Sequence, residues 1–360
     1  DGNVVIDDSM FTAAGRSWTV VFEEGVTPVK WLNNTTDKSD KVVKVSENTY
    51  QVPESASIDN IQVKSSKTSG ALVTNDNTCM MASDAATWTV AKGAANEASI
   101  SLNTIDKGQT IYVFAASKIT LTDSLTGAEF SPNLGSETTV WARPGVTLTI
   151  YGNGTDGDGI IVQYGDTVKK AGFNPDKGEF LVDNRDITLR QGWKVTLNGV
   201  TAIVKSTREK VESGMRVAAG EQITIAIAEK DGKAIATTIL SDMSGNYKVG
   251  GSAVTPGDVT VSARAAYTAV TKITIPSGKT DITVTGKDSA TGMDATIAKG
   301  DGSADVVIYV IPGEEIGVDA GANTIAVKKA DGITDLTEGV VKGTNTAKIT
   351  VGGEEVKVTY

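Results

Sequence analysis

The stretch WKVTLNGVT, residues 193–201, decides the fold class of this chain. Its β-branched and aliphatic residues occupy alternate positions, and the pair Asn198-Gly199 that follows tolerates the positive φ angles of a tight turn. The same alternation is present in QITIAI (222–227) and DITVT (281–285). A period of two residues is typical of half-buried antiparallel strands. We therefore predict an all-β protein.

Turn signals separate these strands. Asn198-Gly199, Asp231-Gly232, Asp301-Gly302 and Asp331-Gly332 each lie between two alternating runs. Such pairs favour two-residue hairpin turns, so we expect each of them to join two paired strands.

Repeated phrases indicate several modules. The pattern of WTVVFEEGVT (18–27) recurs in residues 193–201 and, less completely, in WARPGVTLTI (141–150). A second phrase, a glycine turn followed by a strand, recurs at 107–113, 219–225 and 312–318. The 175 residues from Trp18 to Trp193 accommodate two modules of β-sandwich size.

The repeats set the expected boundaries. We predict an N-terminal extension (1–14), a β-sandwich (15–103), a β module (104–188) and two further β-sandwiches (189–269 and 270–360). The predicted fold is thus a tandem array of small antiparallel, immunoglobulin-like sandwiches, with linkers at 183–186 and 265–269.

Composition excludes several kinds of chemistry. The 360 residues include no histidine and one cysteine, Cys79. Histidine-based nucleophile activation, histidine-ligated zinc and an intrachain disulfide are therefore all excluded. The adjacent carboxylates Glu23-Glu24, Glu314-Glu315 and Glu354-Glu355 would point to opposite faces of a strand, so no pair can act on one bond. We expect a protein that is not an enzyme.

Charge and hydropathy bear on partners and location. The chain carries 44 acidic and 34 basic residues, a net charge of −10, without a basic cluster, which disfavours nucleic-acid binding. It contains no run of eighteen apolar residues, so we predict no membrane span. Residue 1 is Asp1, which fits a secreted protein whose signal peptide has been removed, although a chain shortened for expression would begin in the same way.

One loop has the composition of a calcium site. Within YGNGTDGDG (151–159), Asn153, Asp156 and Asp158 offer oxygen ligands on a backbone made flexible by glycine. The alternative is an ordinary Asp/Gly turn without metal. The loops at 289–294 and 299–305 show the same composition more weakly. No other cofactor is expected.

Two further segments are candidates for binding. Among the five tryptophans, Trp31 is the one that could face outwards and stack on a surface or cell-wall glycan. Val4, Val5 and Ile6 form an apolar run before the first module, and we expect it to act as an assembly strand inserted into a neighbouring copy.

The chain resembles the immunoglobulin-like repeat modules of bacterial surface and surface-layer proteins. The resemblance lies in the order of its segments: a strand, a Gly-Val-Thr turn, a second strand and a Gly-Glu motif. Residues 193–227 and 256–284 carry this resemblance best. It implies extracellular display of repeated β-sandwiches and brings no catalytic residues.

These observations favour a structural subunit whose partner is another copy of itself, in an extracellular surface layer, filament or tube. Two alternatives remain. One is an adhesin or glycan-binding surface protein, and the other is a phage tail or capsid decoration protein.

Overall fold

The computed structural model describes residues 17–23, 25–65, 68–83, 85–87, 96–102, 108–122, 129–131, 138–151, 159–169, 178–241, 243–288 and 291–360. Strands dominate these ranges, and their only helical elements are two 3-10 turns, Ser39–Lys41 and Glu54–Ala56. The all-β prediction is confirmed. The chain divides into two compact units, residues 1–191 (unit 1) and 192–360 (unit 2), and each is described by itself.

Unit 1 contains eighteen strands in its described part. They are Ser17–Phe22 (β1), Thr27–Asn33 (β2), Thr36–Asp37 (β3), Val43–Lys44 (β4), Thr49–Pro53 (β5), Asn60–Ser65 (β6), Gly70–Thr74 (β7), Met81–Ala82 (β8), Ala86–Thr87 (β9), Asn96–Ser101 (β10), Thr110–Leu121 (β11), Glu129–Ser131 (β12), Thr139–Ala142 (β13), Thr147–Tyr151 (β14), Gly159–Tyr164 (β15), Thr167–Lys169 (β16), Gly178–Leu181 (β17) and Ile187–Asn198 (β18). The last of these, β18, ends beyond residue 191, so its final residues belong to unit 2.

Unit 2 continues with shorter strands and one further long one. They are Val200–Val204 (β19), Lys210–Val211 (β20), Met215–Ala218 (β21), Gln222–Ile227 (β22), Glu229–Lys230 (β23), Lys233–Ala234 (β24), Thr238–Ser241 (β25), Tyr247–Val249 (β26), Ala253–Val254 (β27), Gly257–Thr260 (β28), Ala265–Ile275 (β29), Thr283–Lys287 (β30), Asp294–Lys299 (β31), Val306–Val310 (β32), Glu315–Asp319 (β33), Ala326–Lys329 (β34), Val340–Lys342 (β35), Thr346–Thr350 (β36) and Val356–Thr359 (β37).

Four large hydrophobic cores lie between pairs of sheets. We number the sandwiches around them modules 1 to 4. The cores gather buried residues within 18–115 (module 1), 81–189 (module 2), 195–269 (module 3) and 273–358 (module 4). Each draws on alternate residues of its strands, which is what period-two patterning requires of a sandwich.

All four modules share one connectivity. Seven main strands alternate between two sheets in chain order, so that one sheet holds the third, first, seventh and fifth strands and the other holds the second, fourth and sixth. The sheets are β5-β1-β11-β7 with β2-β6-β10, β13-β11-β18-β15 with β12-β14-β17, β21-β18-β29-β25 with β19-β22-β28, and β32-β29-β37-β34 with β30-β33-β36.

This arrangement corrects the expectation of purely antiparallel sheets. The first and last strands of every module are parallel neighbours, for example Val20 opposite Ile111 in module 1 and Val195 opposite Ala265 in module 3. The strand order also differs from the ABED and CFG sheets of the immunoglobulin fold. The modules are β-sandwiches with mixed sheets.

Adjacent modules share strands. Within unit 1, the first half of β11 is the last strand of module 1 and its second half is the first strand of module 2. Within unit 2, β29 serves modules 3 and 4 in the same way. The predicted linker at 265–269 is wrong, because these residues lie inside β29. Its alternating pattern continues without a break, and strand pairing on both sides keeps it extended.

A glycine turn before the fourth strand repeats in three modules. Gly145, Gly220 and Gly313 have φ angles of +89°, +82° and +94°, which an L side chain adopts only with strain. Each donates its backbone N–H to the carbonyl of a valine after the sixth strand, at 2.9, 2.9 and 2.8 Å respectively. The valines are Val182, Val261 and Val351. The phrases at 219–225 and 312–318 are therefore structural equivalents, whereas that at 107–113 leads into β11.

Of the four predicted hairpin turns, two join paired segments. Asp231-Gly232 joins the paired strands β23 and β24, with φ angles of +53° and +74°. Asp331-Gly332 reverses the chain after β34, and Lys328 then forms an antiparallel bridge with Asp335. Asn198-Gly199 and Asp301-Gly302 connect strands of opposite sheets. Turn chemistry specifies a chain reversal but does not specify whether the flanking strands pair.

Candidate functional site: the junctions between paired modules

The junction of modules 1 and 2 is built on β11, where the two modules meet within one strand. The buried hydroxyl of Ser117 donates to the carbonyl of Asp183 at 2.6 Å. The N–H of Lys118 donates to Ser69 Oγ and to Asp186 Oδ1, both at 3.2 Å. Ser69 Oγ in turn donates to the same carboxylate oxygen of Asp186. The turn 183–186, predicted as a linker, is thus part of the junction.

The junction of modules 3 and 4 repeats this chemistry on β29. Thr271 Oγ1 donates to the carbonyl of Gly352, and the N–H of Lys272 donates to Thr237 Oγ1 at 3.0 Å. The Lys272 ammonium pairs with Glu355 at 2.9 Å, and both side chains are partly exposed. In each unit, one hydroxyl of the shared strand therefore donates to the loop after the sixth strand of the second module. A second hydroxyl, in the segment before the fifth strand of the first module, accepts from the N–H of the shared strand.

An apolar cluster supports each junction on the sheet face that points away from the sandwich cores. In unit 1 the cluster consists of Leu72, Phe114, Ala116 and Trp141. In unit 2 it consists of Leu240, Val270 and Tyr309. These residues alternate with core residues along their strands, so they would be exposed to water without a cover.

The cover comes from the segment after the fifth strand of the first module. In unit 1, β8 crosses to pair with β13 of module 2, with Ala82 opposite Trp141. In unit 2, β26 crosses to pair with β32 of module 4, with Lys248 opposite Tyr309. In each unit the covering segment therefore forms a second connection between the two modules, in addition to the shared strand.

Arg143 adds a polar clamp in unit 1. Its guanidinium lies over the Phe114 ring, 3.8 Å from the centroid, and donates to the carbonyls of Asn77 and Cys79 at 3.3 and 3.4 Å. The Tyr112 ring stacks on Phe114 at a centroid distance of 6.2 Å. Because the guanidinium stacks on a ring of the sheet and also donates hydrogen bonds to the covering segment, it holds that segment against the sheet.

In unit 2, Tyr247 of the covering segment lies at the start of β26. Its hydroxyl donates to Glu314 Oε2 at 3.3 Å and accepts from the N–H of Lys287 at 3.2 Å. Burial, with a further contribution from the Glu314 charge, raises the pKa of Tyr247 above its ordinary value. The hydroxyl therefore bridges β30 and the residue that precedes β33 in module 4.

Trp31 does not form the exposed stacking platform that the sequence suggested. Its side chain is 4% exposed and packs in the core of module 1 against Phe22 and Tyr50, at centroid distances of 6.0 and 5.4 Å. The exposed expectation is wrong because the alternation of β2 places Trp31 on its inward face, opposite Ile61 of β6.

The other candidate sites fall elsewhere. Val4, Val5 and Ile6 and the loop residues Asn153, Asp156 and Asp158 lie outside the described residues. Within the ranges that are described, no group of three or more acidic or cysteine side chains is arranged to hold a metal ion. No helix in those ranges is long and apolar enough to cross a membrane.

Carboxylates of the other Asp/Gly loops bind their own turns. Asp301 Oδ1 accepts from the N–H and the hydroxyl of Ser303, both at 2.8 Å, and Asp288 Oδ1 accepts from the N–H and hydroxyl of Thr291 at 2.8 and 2.9 Å. The bonds from the N–H and the hydroxyl of Ser303 lower the pKa of Asp301. The composition that suggested a cation ligand is accounted for here by turn capping.

The adjacent carboxylates contact different partners. Glu354 pairs with Lys329 at 2.9 Å, whereas Glu355 pairs with Lys272. Glu315 pairs with Lys348 at 3.2 Å, whereas Glu314 accepts from Tyr247. Each acid of these two pairs has a structural contact of its own.

The junction hydroxyls escaped the sequence analysis, although a signal was present. SKITL (117–121) and TKITI (271–275) follow one pattern, a hydroxyl residue and a lysine followed by three strand residues. The hydroxyl lies at the junction, and the residues after it belong to the first strand of the next module.

No family model matches the chain, and no curated protein matches it.

Proposed function

We propose that this protein is a non-enzymatic structural subunit of a self-assembling extracellular surface layer, filament or tube. The observation that carries the proposal is the junction within each unit, where a shared strand, two hydroxyl bonds and a covered apolar cluster replace a linker. Such a junction fixes the spacing of neighbouring modules, which an ordered assembly needs and a flexible array of binding modules does not.

The burial of Trp31 supports the structural role over glycan binding, because the aromatic residue singled out for stacking belongs to the core. The described part of each module already fills all seven strand positions with strands of its own chain. An inserted strand containing Val4, Val5 and Ile6 would therefore add to a sheet edge of a neighbouring copy rather than fill a gap.

The test is negative-stain electron microscopy of the purified chain, with calcium and with chelator. Ordered sheets, tubes or filaments are expected, and their loss in chelator would place calcium at the contacts, with Asn153, Asp156 and Asp158 as its proposed ligands. Dispersed monomers in both conditions, even at high concentration, would contradict self-assembly. Saturable binding on a glycan array would then favour the adhesin.

A second experiment addresses the assembly strand. Deletion of residues 1–13 should abolish the polymers while the modules stay folded, as judged by an unchanged circular dichroism spectrum. A matched triple variant, Val4→Ser, Val5→Ser and Ile6→Ser, keeps the chain length and should act in the same way. Polymers that persist in both variants would rule out strand addition.

A further inference from the structure

The first and last strands of every module lie side by side and run in the same direction. The paired positions are 19–22 with 110–113 in module 1, 119–121 with 187–189 in module 2, 195–198 with 265–268 in module 3, and 273–274 with 356–357 in module 4. The chain enters each module through the first of these strands and leaves it through the last.

This geometry determines how a module responds to a force that pulls on both of its ends along the chain. A pull on the entering strand acts toward its N-terminal end, and a pull on the leaving strand acts toward its C-terminal end. Because the strands are parallel neighbours, the two forces pull one strand past the other along their common direction. The slanted hydrogen bonds between them are then loaded together rather than broken one after another.

The bonds of this parallel pair are in place. In module 1 the N–H of Thr19 donates to the carbonyl of Gln109 at 3.2 Å, and the N–H of Glu23 donates to that of Val113 at 3.0 Å. In module 2 the N–H of Thr122 donates to Leu189 at 3.0 Å. We call these main-chain bonds between first and last strands the shear bonds.

The shared strands pass tension on without an intervening linker. Within unit 1, β11 carries the shear bonds of module 1 in its first half and those of module 2 in its second half. Within unit 2, β29 does the same for modules 3 and 4. Neither unit has a slack segment at its junction that could extend before the modules are loaded.

We propose that the protein bears tensile force, and that the parallel pair of first and last strands is the element that resists it in each module. This inference rests on the proposed structural role. Its test uses single molecules, so a failure to assemble and a failure to resist force are seen in different experiments.

The test is single-molecule force spectroscopy on the full chain, held by peptide tags at its two ends. Glu23→Pro removes the donor of one shear bond in module 1. Val45→Pro is the matched control, because it removes a donor of the same module, the 2.9 Å bond to Thr49 at a hairpin outside the parallel pair. Equilibrium unfolding of both variants establishes that they fold and measures their loss of stability.

At a fixed force, Glu23→Pro should speed the unfolding step that releases module 1 about fivefold, the effect of one lost hydrogen bond that is intact before the barrier. Val45→Pro should leave the rate of this step unchanged. The step is recognised by its length, roughly 33 nm for residues 19–113 at about 3.5 Å per residue. Equal acceleration by both variants, or by neither, would overturn the proposal.

Module 2 provides a second variant in case Glu23→Pro does not fold. Thr122→Pro removes a shear bond together with the 3.1 Å hydroxyl bond to Leu189, whereas Thr122→Val removes the hydroxyl bond and keeps the main-chain donor. The step that releases module 2, roughly 25 nm long for residues 119–189, should be faster in Thr122→Pro than in Thr122→Val. Identical rates would contradict the role of the parallel pair.

Discussion

The buried hydroxyl of Ser117 donates a 2.6 Å hydrogen bond to the main-chain carbonyl of Asp183, across the junction between the two modules of unit 1. Thr271 makes the same bond to the carbonyl of Gly352 in unit 2. Both hydroxyl residues are fully buried, and each is the residue at which the antiparallel pairing of the shared strand passes from the first module to the second. The junction is therefore a repeated feature of the chain.

Removal of the junction hydroxyl should destabilise unit 1. Ser117→Ala leaves the carbonyl of Asp183 without this donor, and we expect the free energy of unfolding to fall by about 1–2 kcal/mol. Chemical denaturation followed by fluorescence measures the change. Ser46→Ala, which removes an exposed turn hydroxyl, should stay within about 0.5 kcal/mol of the parent chain. A neutral Ser117→Ala would mean that the bond contributes nothing to the junction.

Close packing at the second junction predicts an asymmetry between two adjacent glycines. A Cβ at Gly353 would lie 2.1 Å from the carbonyl oxygen of Ala234, whereas a Cβ at Gly352 would have no atom within 4 Å. Gly353→Ala should therefore cost about 1–3 kcal/mol of unfolding free energy, and Gly352→Ala should cost little. Thermal unfolding of the two variants checks this, and equal midpoints would contradict the contact.

Trp31 should matter for stability and not for ligand binding. Trp31→Ala removes an indole that is packed against Phe22 and Tyr50, and we expect a loss of about 3–5 kcal/mol. Trp31→Phe keeps an aromatic ring in the core and should lose less. Denaturant titration gives the stabilities. A stable Trp31→Ala variant with impaired glycan binding would restore the stacking role.

The pH dependence of one turn follows from its hydrogen bonds. The hydroxyl of Thr334 at 2.6 Å, then the N–H groups of Ile333 and Thr334, lower the pKa of Asp331 from 3.8 to about 2. Because the folded pKa is the lower one, the stabilisation is present above pH 3.8 and is lost as the pH falls through about 2.

An NMR titration of the Asp331 carboxyl checks this value. Thr334→Val removes the largest cause, so the pKa of Asp331 should rise toward its ordinary value, whereas Thr334→Ser retains the hydroxyl and should leave it low. A pKa that is the same in both variants would show that the threonine hydroxyl is not responsible.

Local patterning accounts for what could be predicted of the fold. The alternating runs at 194–197 and 222–227 lie within β18 and β22, and the glycine turns at Gly220 and Gly313 precede β22 and β33. These predictions depend on the two-residue period of a strand and on the freedom of glycine at positive φ, which are properties of short segments.

The candidate sites were less predictable because their properties depend on distant residues. The alternation around Trp31 shows that one face of β2 is buried, but only its pairing with β6 decides which face. In the same way, Ser117 and Thr271 look like ordinary strand residues until Asp183 and Gly352 are brought to them by chain more than sixty residues away.

By itself, then, the sequence determined that the chain is built of strands, that glycine turns punctuate them, and that histidine chemistry is absent, because composition and a period of two residues act locally. Only the tertiary structure decided that the main strands of each module alternate between two sheets, that its first and last strands run parallel, and that the two modules of each unit share one strand, β11 or β29. Strand pairing joins residues far apart in the chain, and its register is set by the burial of whole faces, which no short segment specifies.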